Sequence, residues 1–99
     1  MAVHAVTFRL LHDATYGDRY ESLVRAIRQA TCTTFWDEPT SFALIESNES
    51  SAQIAARIDR NSTFAHSKDL LLVVNLSQSG FTVLGEPKDQ DLQRLMARR

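Results

Sequence analysis

Apolar positions recur along this chain in two alternating periods, and the switches between them outline the elements. Val3 to Leu10 steps in twos, with Val6, Phe8 and Leu10 on one side and Thr7 and Arg9 on the other, as in a strand with one covered face. His4 falls on the apolar side, where a buried or edge histidine is the simplest reading. After a polar loop from Leu11 to Gly17, Tyr20, Leu23, Val24 and Ile27 fall at the spacing of a helix laid on a sheet. Asp18 is placed to cap that helix, with Glu21 three residues on, and Arg19, Arg25 and Arg28 lie off its stripe.

Thr31 to Trp36 is rich in β-branched and aromatic residues and predicts a second strand, ended by Asp37-Glu38-Pro39. Thr40 to Ser47 predicts a third, close enough to the second to pair with it as a hairpin. Ser50 with Gln53 has the form of a capping box, Ser51 being an alternative cap, and Ile54, Ala55 and Ile58 make the stripe of the second helix. A polar loop from Asn61 to Lys68 leads to Leu70 to Leu76, an aliphatic run that predicts a fourth strand covered on both faces. Gln78-Ser79-Gly80 predicts a turn, Phe81 to Leu84 a short fifth strand, and Pro87 the start of a last helix on which Leu92, Leu95 and Met96 share a face.

The order β-α-β-β-α-β predicts an α+β fold, a ferredoxin-like βαββαβ sandwich with an extra C-terminal strand and helix, in a single domain of residues 1–99. Right-handed crossovers place the first and third strands side by side in the middle and the fourth at an edge. Seven residues of uncharged edge would invite aggregation if left open. Phe81 to Leu84, from this chain or a second copy, is the expected cover. The chain is therefore expected to be a homodimer joined along these strands, with Leu71, Val73, Phe81 and Val83 at the interface.

Composition changes this picture little. With 43% apolar and 23% charged residues the chain is ordinary globular protein, and its lone cysteine, Cys32, implies no disulfide framework. No apolar run is long enough for a membrane helix, and Met1 to Leu10 has no signal-peptide pattern, so a cytoplasmic protein is expected. A net charge of −1 gives no bulk attraction to nucleic acid.

Several segments together carry a family resemblance. They are Phe8 near the end of the first strand, Tyr20-x-x-Leu23-x-x-Ala26-Ile27, Thr40 to Ser47, Ser51 to Asp59, and Asp69 to Val74. Over roughly residues 3 to 77 the chain resembles the small CRISPR spacer-acquisition proteins of the Cas-two family and their stand-alone SinR-like and VapD-like relatives. The resemblance implies a ferredoxin-like homodimer with metal-binding aspartates at the ends of its first strands. In that family the first strand ends aromatic-Asp-hydrophobic, whereas here Phe8 is followed by Arg9 and Leu10.

The expected function is accordingly a homodimeric Cas-two-like module without catalysis, which binds a protein partner or nucleic acid and needs no cofactor. One alternative is a metal-dependent endonuclease acting on RNA or DNA, with His12 and Asp13 as catalytic residues, Asp13 as metal ligand and Mg²⁺ as cofactor. Another is a small dimeric α/β barrel enzyme or a ligand-sensing regulatory domain. Nucleic-acid binding, if any, is expected to be weak and salt-sensitive, carried by Arg9, Arg25, Arg28 and Arg57 with Arg98 and Arg99 of the tail.

Overall fold

A computed structural model describes residues 1–87 and 91–98. Its elements are β1 (Ala2–Arg9), α1 (Tyr16–Ala30), β2 (Phe42–Ser47), α2 (Ser51–Arg60), β3 (Leu70–Asn75), β4 (Phe81–Leu84) and α3 (Asp91–Ala97). The strands form one antiparallel sheet in the order β2-β1-β3-β4. β1 thus lies between β2 and β3, and α2 crosses over it to join them.

Strand periodicity divides the sheet into two unlike faces. Val6 and Phe8 of β1, Ala43 and Ile45 of β2, and Leu71 and Val73 of β3 point toward α1 and α2. There they meet Leu23, Ala26, Ile27 and Ala30 of α1 and Ile54, Ala55 and Ile58 of α2 in one buried cluster. This apolar burial supplies the main driving force for the fold. The two helices start differently. α2 has the full capping box, Ser50 Oγ accepting from the Gln53 backbone N–H and Gln53 Oε1 accepting from the Ser50 backbone N–H. α1 begins two residues before its expected cap, at Tyr16, and Asp18 lies in its first turn.

Two expectations need correction. Thr31 to Trp36 is not a strand: it meets β2 through a single bridge, Trp36 with Leu44. Its β-branched side chains bond to the edge of β2 instead of extending a ladder. The Thr31 hydroxyl accepts from the Glu46 backbone N–H at 3.1 Å, and the Thr33 hydroxyl donates to Glu46 Oε1 at 2.7 Å. The third strand is correspondingly shorter than expected, beginning at Phe42. The exposed edge of β3 is covered from within the chain, since β4 pairs with it from Leu71–Leu84 to Val74–Phe81. The start of the last helix at Pro87 leads into residues 88–90, outside the described residues.

Gly85 makes this cover possible. It leaves β4 at φ +95°, a conformation that suits glycine, and a Cβ there would lie 2.2 Å from the Asp69 carbonyl oxygen.

Candidate functional site

The loop between β1 and α1 holds His12 and Asp13, the two residues expected to be catalytic. Asp13 is not free to use it. Its Oδ1 accepts from Arg19 Nη1 at 2.7 Å and from the Thr15 backbone N–H at 3.1 Å, and its Oδ2 accepts from Lys68 Nζ at 3.0 Å. Arg19 and then Lys68 hold this carboxyl far below its ordinary pKa. Both oxygens of the proposed metal ligand therefore already face cations. His12 stacks on Tyr16 with ring centroids 4.1 Å apart, and no hydrogen bond joins it to Asp13 among the described residues. No group of three His, Cys, Asp or Glu side chains suited to a metal ion occurs among the described residues.

Arg19, off the apolar stripe of α1, is instead 4% exposed and is the centre of this region. Its Nε and Nη2 donate to Asp69 Oδ2 and Oδ1 at 3.0 and 3.2 Å, Nη2 also donates to the Leu11 carbonyl at 2.7 Å, and Nη1 reaches the Thr15 hydroxyl. Asp69 accepts further from the backbone N–H groups of Leu11 and Ala65, each at 3.0 Å. Burial pushes the Asp69 pKa up, but Arg19 and these two donors outweigh it and leave it below the ordinary value. The arrangement ties three segments together and satisfies every group it buries. It is a structural clamp.

The arginines expected to bind nucleic acid do not converge. Arg9 projects on the sheet face away from the helices, while Arg25 is exposed on α1. Arg28 donates to Asp37 Oδ2 at 2.9 Å and lies over the Phe35 ring, and Arg57 holds Glu49 with two bonds of 2.7 and 2.9 Å. These two charges are answered within the chain. Arg98 is exposed after α3, and Arg99 is outside the described residues.

Two other places are more open. At the N-terminus of α2 a recess of about 610 Å³ is lined by Ser47, Ser50, Ser51, Asn75 and other polar groups. Behind it, on the same face of β1, His4 is fully buried, and neither ring nitrogen has a hydrogen-bond partner among the described residues. Burial lowers its pKa; the nearby backbone of Ser47 and Glu49 opposes this in part, without a bond of good geometry.

The larger feature is the sheet face opposite the two long helices. Ala5, Phe42, Leu44, Leu72, Val74, Phe81 and Val83 all lie on it, and all are half-buried. Trp36 extends it at the β2 edge, packing edge-on against Phe42 and remaining 44% exposed. At the other edge α3 lies over one corner and leaves a groove of about 510 Å³ between Leu70, Leu72 and Val83 below and Leu92 and Leu95 above. α3 itself buries no residue, and Leu95 is 62% exposed. Of the residues expected at a dimer interface, Phe81 and Val83 are on or beside this face. Leu71 and Val73 are not: both are fully buried against the helices, because the strand period turns Leu70, Leu72 and Val74 to the open side.

No family model, curated protein or solved structure matches the chain. No helix among the described residues is long and apolar enough to cross a membrane.

Proposed function

We propose that this chain is a self-associating, noncatalytic module of the Cas-two-like type, which buries its open sheet face against a second copy and offers its helix side to a protein partner or to nucleic acid. The observation that carries this reading is the apolar sheet face left without a helix layer. A face of this kind is normally covered, by helices or by another sheet. The connectivity is compatible with a ferredoxin-like origin: α2 crosses over β1 as the split βαβ arrangement requires, and the Trp36 bridge lies where its second strand would run.

The nuclease alternative loses support because Asp13 is held between Arg19 and Lys68, and Arg9 stands where an acidic ligand would be needed. Nucleic-acid binding, with Arg28 and Arg57 already paired, would be weak and salt-sensitive.

Sedimentation velocity at tens of micromolar tests the reading. The wild-type chain should run as a dimer, and Leu72→Arg, which places a charge on the open face, should run as a folded monomer. A wild-type monomer at that concentration would overturn the proposal.

A further inference from the structure

The recess at the start of α2 has a one-sided balance of polar groups: its oxygens are in use and its donors are not. Ser50 Oγ and Gln53 Oε1 are taken by the capping box. Ser47 Oγ accepts from the Glu49 backbone N–H at 3.0 Å, and Ser77 Oγ from that of Val3 at 3.2 Å. Asn75 Oδ1 accepts from the backbone N–H groups of Ser77 and Gln78, both at 2.9 Å. Two donors on one atom settle which end of that amide is oxygen. Left over are the hydroxyl hydrogens of the serines and the amide NH₂ groups of Gln53 and Asn75, none of which donates to an acceptor among the described residues.

Asn75 aims this surplus. The residue is 7% exposed, so its side chain is held in place. Among the described residues only the ring nitrogens of His4 are sealed without a partner, so Asn75 Nδ2 opens on the space it lines. His4 itself, opposite Asn75 in the sheet register, lies beneath that floor and does not line it. The ten-residue α2 adds the backbone N–H groups of Ser51 and Ala52, which have no carbonyl a turn earlier to bind, and the positive end of its dipole. Glu49 is the only ionisable side chain that lines the recess, and Arg57 already holds both of its oxygens, at 2.7 and 2.9 Å.

We propose that this recess binds the phosphoryl group of a small phosphomonoester. Donors converging on a helix N-terminus, with the fixed oxygens around them already engaged, favour an oxyanion. Asn48 and Gln78 also line the space, and their side-chain amides are free to turn a donor inward. A carboxylate has two oxygens to offer, whereas the donors here come from both hydroxyls and amides on three elements and match the three terminal oxygens of a phosphoryl group. An inorganic ion would fill little of the roughly 610 Å³, a volume in the range of small-molecule sites, about 300–1,000 Å³. The polar lining suits an ester whose body carries hydroxyls, such as a sugar phosphate. No Lys or Arg side chain lines the space, so affinity for phosphate alone should be millimolar. The site lies on the helix side of the sheet and does not depend on self-association through the open face.

Titration of the ¹⁵N-labelled chain with inorganic phosphate, ribose 5-phosphate and acetate, at constant ionic strength, tests this by NMR. Phosphate should shift the Ser51 and Ala52 backbone amides and the Asn75 side-chain NH₂ saturably, ribose 5-phosphate should do so at least tenfold more tightly, and acetate should not. Asn75→Asp keeps an oxygen for Ser77 and Gln78 but loses the NH₂, and should weaken ribose 5-phosphate binding at least tenfold. Gln53→Glu, at an exposed position, keeps the capping box in its S-x-x-E form and should weaken binding in the same direction even if Asn75→Asp fails to fold. Arg9→Glu, at the far end of β1, changes the charge more and should leave binding unaltered. No saturable shift at tens of millimolar phosphate, or shifts unchanged in Gln53→Glu, would overturn the site. Acetate binding as well as phosphate would overturn the choice of a phosphoryl group, and ribose 5-phosphate binding no tighter than phosphate would overturn the choice of an ester.

Discussion

Two residues decide much of this molecule from inside it, Asp69 and His4. Asp69 has a fully buried side chain whose charge is met by Arg19 and by two backbone donors. Removing one member of such a pair leaves the other charged and buried, which generally costs about 3–5 kcal/mol. Asp69→Ala should therefore lower stability by about 3 kcal/mol in urea unfolding, while Arg25→Ala, at an exposed position, should change it by less than about 0.5 kcal/mol. Equal effects would mean that the clamp contributes no more than a surface arginine. His4 sets a second dependence, on pH. Its folded pKa lies below the ordinary 6.5, so the unfolded chain binds the proton more readily. The stability this gives is full above about 6.5 and is lost as pH falls below it. The carboxyls of Asp13, Asp69 and Glu49, also lowered, keep their contribution down to about pH 4 and lose it below. The urea midpoint should then fall between pH 7.5 and 5.5 in the wild type and fall less in His4→Phe. An equal fall in both would remove His4 as the cause.

At the scale of elements, those with a regular covered face were legible in the sequence. β1, β2, β3, α1 and α2 follow their apolar period, and the Ser50–Gln53 box marks the start of α2 as the structure has it. The Thr31 to Trp36 segment was not legible, because β-propensity describes a fit to a pleated surface and not the presence of a neighbour to pair with. Threonine hydroxyls found partners on Glu46 and took the segment out of the ladder. The clamp was hidden for a related reason: the burial of Arg19 depends on two distant loops converging on it, which leaves no periodic trace. β4 depends on one residue at its exit. Gly85→Ala should cost more than about 1 kcal/mol, since it strains the backbone and pushes against the Asp69 carbonyl. Equilibrium unfolding checks this, and a neutral result would show that β4 can leave β3 by another path.

For the whole molecule, β1 lies between β2 and β3 in the sheet, while the position of α3 over one corner of the open face came only with the structure. The outcome is a protein with one sealed layer and one open one, and its two sides should differ in how long they hold their shape. The segment from Thr31 to Ser41 is joined to the sheet by few backbone bonds: Cys32 to Glu46 at 2.8 Å, the reciprocal pair of Trp36 and Leu44 at 3.0 and 2.8 Å, and Phe8 to the Ser41 carbonyl at 3.1 Å. A stretch so sparsely tied opens like a flap without disturbing the cluster beneath it, whereas Val6 and Val73, each between two neighbours, are released only when the chain unfolds as a whole. Deuterium uptake at low protein concentration should reach the amides of Cys32 and Trp36 orders of magnitude sooner than those of Val6 and Val73. Matching rates would contradict that. The side chain with the largest aromatic surface is thus mounted on a sparsely tied part of the fold, so whatever Trp36 binds must first still it, and tight binding there would be read out as slowed exchange across the entire flap.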